Sequence, residues 1–544
     1  MAENTEVENQ VNTSPAKKKG MSFALSAIIV GIGLIITKGS GLIRDVIVSL
    51  RFSDGVFRDA YTLAFNIPDL FYNLLVGGAI YSTVAPYLSA QLAVGKEKEG
   101  VKVVSKFITA VCLIMLFFCT IGTVFSEPLY VIYSLFHEVK NPEIIPLAAQ
   151  ASKFLFPQIF FIMLAALCNG ILISYRKFTI TSFAPVFYNI LVIAAIFFCG
   201  GNSLNRLMFT TFGILLASVF YFLFQYTLGF KQMKQFRFDF HLADRELMKL
   251  MLRAIPILIS ASVVQINNIV LNSFALQFDE GSVFAFRNAS SIWQIPYSVF
   301  VVAITTVMTP ELSGDFKAMK YVKASNLVSH SLRSALFMTI PSAVFIAVLN
   351  VDVVKAVYQW HSNYTDNHAA VAATFLLGFC SSIITATVVH VFNQAFYAIG
   401  QTKLPLLAGV IGLVVNPVAC HLMISLGVGP LSLSLAYSFT NICQMIMLSI
   451  MYCRRKELAP GGIIRFLVKA SVCVAVMGLG IFILDRFVPA MGGKLTQLII
   501  ISIKGAVAVI IYFGMAVLLR MQEATEWINK FKSKVFKKTA AKKT

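Results

Sequence analysis

The feature that most constrains this chain is a succession of about fourteen apolar segments, near residues 22–50, 59–91, 105–127, 148–175, 180–200, 205–229, 250–277, 283–312, 331–350, 368–399, 404–426, 430–453, 464–485 and 496–520. Most approach the roughly 20 residues that a helix needs to cross a bilayer, and a barrel strand needs only about half that. Hydrocarbon offers no partner to backbone N–H and C=O groups, so segments of this length must be helices that satisfy themselves. The fold class that follows is all-α: a polytopic membrane protein with about 14 transmembrane helices. Only 13% of the residues are charged, against about a quarter in soluble domains. Nine scattered cysteines show no metal-ligand spacing and read as small buried hydrophobes. No metal and no cofactor is expected.

The formal charge of +20 does not point to nucleic acid, because the cations gather in alternate loops and at the two ends. Lys96, Lys98 and Lys102 follow the second segment, Arg176 and Lys177 the fourth, Lys231, Lys234 and Arg237 the sixth, Lys317, Lys320 and Lys323 the eighth, and Arg454, Arg455 and Lys456 the twelfth. The intervening loops are poor in cations. The positive-inside rule then puts both termini in the cytoplasm and the basic patches against anionic lipid. Residues 1–20 read as a cytoplasmic polar and basic tail without a cleavable signal, and residues 523–544 as a second basic cytoplasmic tail.

Within this apolar frame the first segment carries Lys38 and the pair Arg44-Asp45. A Lys, Arg or Asp at the centre of a membrane helix costs roughly 2.5–3.5 kcal/mol on insertion scales, and such residues usually face a bundle interior or a wet pathway. Lys38, Arg44 and Asp45 are therefore candidate solute-binding residues, with Asp59 and Asp69 in the second segment and Arg287 in the eighth. Asp59 also reads as a helix cap, Arg44-Asp45 as a structural pair and Arg287 as an interfacial residue. Gly39 and Gly41 flank Ser40 beside Lys38; the triplet reads either as a hinge or as a small-residue packing face. His390, on an apolar helix, reads as a packed histidine.

An internal repeat organises the segments. Ala79-Ile80, Pro86, Leu88 and Ser89 recur as Ala303-Ile304, Pro310, Leu312 and Ser313, 224 residues later, and Asn169 recurs at the same offset as Asn393. A duplicated six-segment unit predicts two six-helix lobes, residues 21–230 and 231–455, in parallel pseudo-twofold repeat, with a solute site between them near the midplane. Residues 456–522 supply two further helices outside the repeat.

Several stretches also resemble a known family. Gly41-Leu-Ile-Arg44-Asp45-Val-Ile-Val, Asp59-Ala60 through Asn66-Ile-Pro68-Asp69-Leu70, Gly78-Ala79 and Pro86, then Ser260-Ala-Ser-Val-Val-Gln265-Ile-Asn, Thr309-Pro310-Glu-Leu312-Ser313 and Asn393-Gln-Ala-Phe-Tyr397 through Pro405 are similar to the MurJ/MviN lipid II flippases of the multidrug/oligosaccharidyl-lipid/polysaccharide exporter superfamily. The resemblance covers roughly residues 22–520. It implies two lobes around a cavity, a lipid-tail groove against the last two helices, and cavity charges on helices 1, 2 and 8. Arg44, Asp45 and Asp59 match family positions directly. Lys38 stands where the family usually has Arg, Tyr72-Asn73 replaces an Arg-Arg pair, Gly77 replaces a usual Glu, and Ser291 stands where a cavity Arg is usual, with Arg287 one turn away. Substrate contacts are accordingly expected at Lys38, Arg44, Asp45, Asp59, Asp69, Tyr72, Asn73, Arg287 and Ser291.

The implied activity is transport, not enzymatic catalysis: moving lipid II, an undecaprenyl-linked peptidoglycan precursor, from the inner to the outer leaflet of the bacterial cytoplasmic membrane by alternating access. Membrane lipids and cell-wall synthesis proteins are the expected partners. No Walker-type loop is present. One elementary charge is worth about 2.3 kcal/mol per 100 mV, so the membrane potential alone favours outward movement of an anionic head; a coupling ion, Na+ or H+, is the other source. The alternatives are a flippase for another polyprenyl-linked saccharide of the O-antigen or capsule type, a cation-coupled drug exporter, and a transport-inactive scaffold.

Overall fold

The computed structural model describes residues 23–75, 83–135, 139–454, 462–488 and 493–526. The tail at 1–20, most of the tail at 523–544, Gly77, and Ala79-Ile80 of the repeat lie outside these residues. Every regular element among the described residues is helical: α1 (Phe23–Arg51), α2 (Gly55–Leu63), α3 (Asn66–Leu75), α4 (Ala85–Ala93), α5 (Glu97–Val124), α6 (Ser126–Leu135), α7 (Ile144–Ser174), α8 (Phe178–Cys199), α9 (Leu204–Leu228), α10 (Phe230–Met233), α11 (Arg245–Ala275), α12 (Ser282–Pro296), a π-helical turn (Tyr297–Val302), α13 (Ala303–Lys317), α14 (Tyr321–Val348), α15 (Asn350–Tyr358), α16 (Asp366–Ala398), α17 (Lys403–Ser425), α18 (Leu431–Cys453), α19 (Ile463–Phe487) and α20 (Lys494–Leu518).

Among the described residues, eleven helices are long and apolar enough to cross a membrane, so the chain is a multi-pass membrane protein. In their described residues the fourteen expected segments fall mainly on helices, and the count of fourteen spans stays an expectation. The second segment is divided into α2, α3 and α4. Its first break has a local cause. Pro68 has no N–H for the carbonyl of Ala64, one turn earlier. The buried Tyr130 hydroxyl, from α6, donates to that carbonyl at 2.7 Å and to the carbonyl of Leu63 at 3.1 Å. A backbone oxygen freed at membrane depth is thus satisfied by a side chain.

Polar residues at the loops start the helices. Asp54, Ser203 and Asp244 accept from backbone N–H groups of the first turns of α2, α9 and α11, and Thr365 with His368 forms a capping box on α16. The eighth segment is continuous from α12 through α13 but carries the π turn at its middle. The His390 ring, on α16, spans that turn, with one nitrogen 2.9 Å from Tyr297 Oη and the other 3.1 Å from Thr305 Oγ1.

The helices of the first half pack mainly on one another, α7 on α9, α8 on α1 and α9, α5 on α7; in the second half α16 packs on α12, α14 and α18, and α17 on α18. The apolar core is distributed unevenly. One cluster joins both halves at the end where α2 meets α12, with Phe52, Tyr61, Phe156, Phe284, Trp293, Phe375 and Leu433 among its members. Toward the opposite end two separate clusters replace it. One holds Val104, Phe107, Met163 and Leu172 of the first half and takes in Leu247 and Leu250 from the start of α11. The other holds Phe337, Phe392, Tyr452 and Tyr512 of the second half and the last two helices. Helix α19 packs on α14 and α20, and α20 also touches α15. The buried Lys504 of α20 pairs with Asp485 of α19 and, at 3.5 Å, with Asp352 of α15. This triad tethers the last helix to the second half.

Candidate functional site: a polar cavity and an apolar groove sharing one helix

A cavity of about 440 Å³ lies between the halves, walled by α1, α2, α3, α7, α8, α11 and α12. The 3–4 residue spacing of a helical face explains which side chains reach it. On α11 the face is Gln265, Asn268 and Asn272, on α3 it is Asn66, Asp69 and Tyr72, and on α12 it is Arg287, Ser290 and Gln294; Arg44 enters from α1 and Gln158 from α7.

Its charges are organised by Asp45. This carboxylate, 2% exposed, lies 3.0 Å from Arg44 Nη2 and 3.6 Å from Arg287 Nη2, while both guanidiniums keep 25% exposure toward the cavity. One buried anion thus holds two cations from opposite halves, and each fork retains N–H groups for a ligand. Asp69 lines the same wall and forms no ion pair among the described residues.

The sequence-predicted residues divide accordingly. Arg44, Asp45, Asp69, Tyr72 and Arg287 come together. Lys38 does not line the cavity: it is exposed on α1, seven residues from Asp45 and so on the same face, about 10 Å away along the axis. Asp59 is buried and accepts from the backbone N–H groups of Gly281, at 2.8 Å, and Phe284, at 2.9 Å. It caps the first turn of α12 from across the interface rather than facing the solute space. Asn73 donates to the carbonyl of Asp69 at 2.8 Å, and Ser291 lies against Tyr358. Helix α1 runs unbroken through Gly39, Ser40 and Gly41. Asn189 of α8 donates to Ser40 Oγ at 2.7 Å, whereas a Cβ placed on Gly39 or Gly41 would meet nothing within 4 Å. Small-residue packing therefore does not explain the two glycines. Sequence reasoning missed the amides of α11, although their 265, 268, 272 spacing on an apolar helix was a readable signal.

A second cavity, of about 420 Å³, is apolar and lies among α12, the π turn, α14, α15, α19 and α20, lined by residues including Ile292, Pro296, Phe345, Met477, Val509 and Phe513. Helix α12 is the shared wall. Arg287, Ser290 and Gln294 face the polar cavity, and Ile292, Ile295 and Pro296 the apolar one.

The seam end closes around Asp59. Arg58 Nη2 lies 2.9 Å from His368 Nε2, Asn141 donates to Glu280 at 2.8 Å, Asn363 donates to the carbonyl of Leu50 at 2.9 Å, and Lys140 pairs with Asp279. A Cβ on Gly55 would stand 2.8 Å from Glu280, so only glycine allows α2 and α12 this approach.

Comparison with known proteins agrees with this architecture. The family model described as "Lipid II flippase MurJ" matches residues 48–503. A relative from Rickettsia prowazekii (strain Madrid E), named "Probable lipid II flippase MurJ", is 24% identical over 513 residues, covering 92% of this chain and 98% of the relative. One of the same name from Vibrio cholerae serotype O1 is 26% identical over 435 residues, covering 78% and 81%. Among solved structures, "Lipid II flippase MurJ, inward closed conformation" superposes with a TM-score of 0.73 at 24% identity, over 91% of this chain and 99% of that one. A MATE family multidrug resistance transporter in an inward-facing conformation superposes with 0.64 at 18% identity, over 79% and 98%. These likenesses in structure establish the fold, and the match of the family model over most of the length establishes the kinship: the chain belongs to the lipid II flippase MurJ family.

Proposed function

We propose that this protein is a lipid II flippase of the bacterial cytoplasmic membrane, a transporter and not an enzyme. It carries undecaprenyl-linked peptidoglycan precursor from the inner to the outer leaflet. The observation that carries the reading is the two-faced helix α12, which sets a cavity with two arginines on one side and an apolar groove on the other. Such a wall suits a ligand with an anionic head and a hydrocarbon tail. The forks of Arg44 and Arg287 match a pyrophosphate, and the tail lies in the groove beside α20, open to lipid. Residues 21–230 and 231–455 form the two lobes, 456–522 the tail-binding pair of helices, and both termini are cytoplasmic. The α2–α12 seam then faces outward and the divided cores face the cytoplasm. Lys38, toward the cytoplasmic side of Asp45, meets the head group first; Gly39 and Gly41 let α1 bend as access alternates. The membrane potential or an ion gradient drives the movement, and cell-wall synthesis proteins receive the product.

The test is depletion of the protein in its host, followed by an assay of outer-leaflet lipid II with a head-group-binding probe. Outer-leaflet lipid II should fall while total lipid II rises. Unchanged outer-leaflet lipid II in a host lacking any second flippase rejects the reading, and accumulation of a different polyprenyl-linked saccharide selects the alternative substrate.

A further inference from the structure

The arginines account for an anion, but most of the polar cavity wall is not cationic. Six amide side chains line it: Asn66 from α3, Gln158 from α7, Gln265, Asn268 and Asn272 from α11, and Gln294 from α12. Each amide presents both donors and an acceptor. Asp69 adds an acceptor-only carboxylate to the same wall when ionised. A pyrophosphate, which only accepts, gains nothing from amide carbonyls and is repelled by Asp69. The wall therefore complements a neutral ligand rich in donors and acceptors together.

Part of the array is already paired within the protein. Asn272 donates to Asn66 Oδ1 at 3.1 Å, and Gln158 donates to Tyr188 Oη at 2.9 Å. These bonds fix the amide planes. Gln158 is only 5% exposed, yet its Oε1 has no hydrogen-bond partner. A buried carbonyl oxygen left open costs stability unless a ligand or water completes it.

We propose that this amide belt is the saccharide subsite, reading the hydroxyl and N-acyl groups of the head group while Arg44 and Arg287 hold its pyrophosphate. The assignment rests on the transport reading above and goes further by dividing the site into a charge-reading and a sugar-reading part. A site built to hydrogen-bond a ligand group strongly rejects the analogue that lacks it, because its own buried polar atoms are then left unpaired. The belt thus sets which lipid-linked molecules are carried, and the arginines set only that they are pyrophosphates.

The experiment measures binding of two purified lipids to the full-length protein in nanodiscs: undecaprenyl pyrophosphate without sugar, and the same pyrophosphate bearing the peptidoglycan disaccharide-peptide. The wild type should prefer the sugar-bearing lipid. Gln265→Leu and Asn272→Leu should each weaken that lipid about tenfold, the loss of one or two hydrogen bonds, and leave the sugar-free lipid within twofold, which also reports an intact fold. Arg287→Ala should weaken both. Equal loss on the two lipids, or no loss on either, overturns the saccharide assignment and leaves the transport reading standing. Failure of the wild type to bind either lipid overturns the transport reading and the subsite with it.

Discussion

The two ends of this bundle are built differently. At the seam end a single apolar cluster runs through both halves. Toward the opposite end the core divides into two clusters, and the halves touch there through the start of α11, where Leu247 and Leu250 join the first-half cluster and Asp244 pairs with Lys106 at 2.6 Å. The repeat-related helices show the same contrast. Asp59, in the second turn of α2, meets the first turn of α12, whereas α4 packs on α5 and α7, and α13 on α14 and α16. A core shared along its length must be split for the halves to separate; a divided core bridged by the start of one helix has fewer contacts to break. The difference makes the α2–α12 seam the larger barrier to separating the halves, and the strength of individual seam contacts the quantity on which that barrier depends.

The strongest test of this contrast replaces one buried phenylalanine at each end. Phe284→Ala, in the shared cluster, and Phe392→Ala, in a private one, should each cost up to about 3–5 kcal/mol of packing. Only Phe284→Ala should raise labelling of a cysteine introduced by Thr62→Cys with an impermeant thiol reagent applied from outside. Equal labelling in the two variants would remove the distinction between the ends. Asp59→Ala comes next. It removes the cross-interface cap of α12 at about 0.5–2 kcal/mol, so outside labelling should rise by roughly twofold to thirtyfold if all of that cost falls on the closed state. Asp59→Asn, which keeps one acceptor, should recover part of the closure. The smallest effect belongs to Lys140→Ala. Its pair with Asp279 is solvent-exposed on both sides, such pairs contribute about 0–1 kcal/mol, and labelling should hardly change.

These contacts also show where sequence reading stops. The helices were legible because lipid leaves one way to satisfy a backbone, and the pairing of α2 with α12 was foreshadowed by the 224-residue repeat. Arg44, Asp45 and Arg287 were legible as charges that need a polar setting, and the structure supplies it. Asp59 was legible as a charge but not as a cap for a helix more than two hundred residues away, since nothing local announces a partner across an interface. The position of Lys38 beyond the cavity was not legible, because periodicity gives the face of a helix and not the depth at which a cavity ends. The break before Asn66 needed Tyr130 to be tolerated, and that hydroxyl comes from the short α6, which lay unnoticed between two longer hydrophobic runs.

The π turn at Tyr297–Val302 has a consequence for the long eighth segment as a whole. Such a turn closes its bonds over five residues rather than four, so it takes up about one residue more than α-helical winding and delays the angular phase by about 100°. The face that presents Arg287, Ser290 and Gln294 is therefore not continued below the turn, and α13 presents its own set of residues to α14 and α16. One extra residue has uncoupled the two halves of a single rod. Substitutions above it retune ligand contact and the seam, substitutions below it retune the private core, and neither has to respect the other's register.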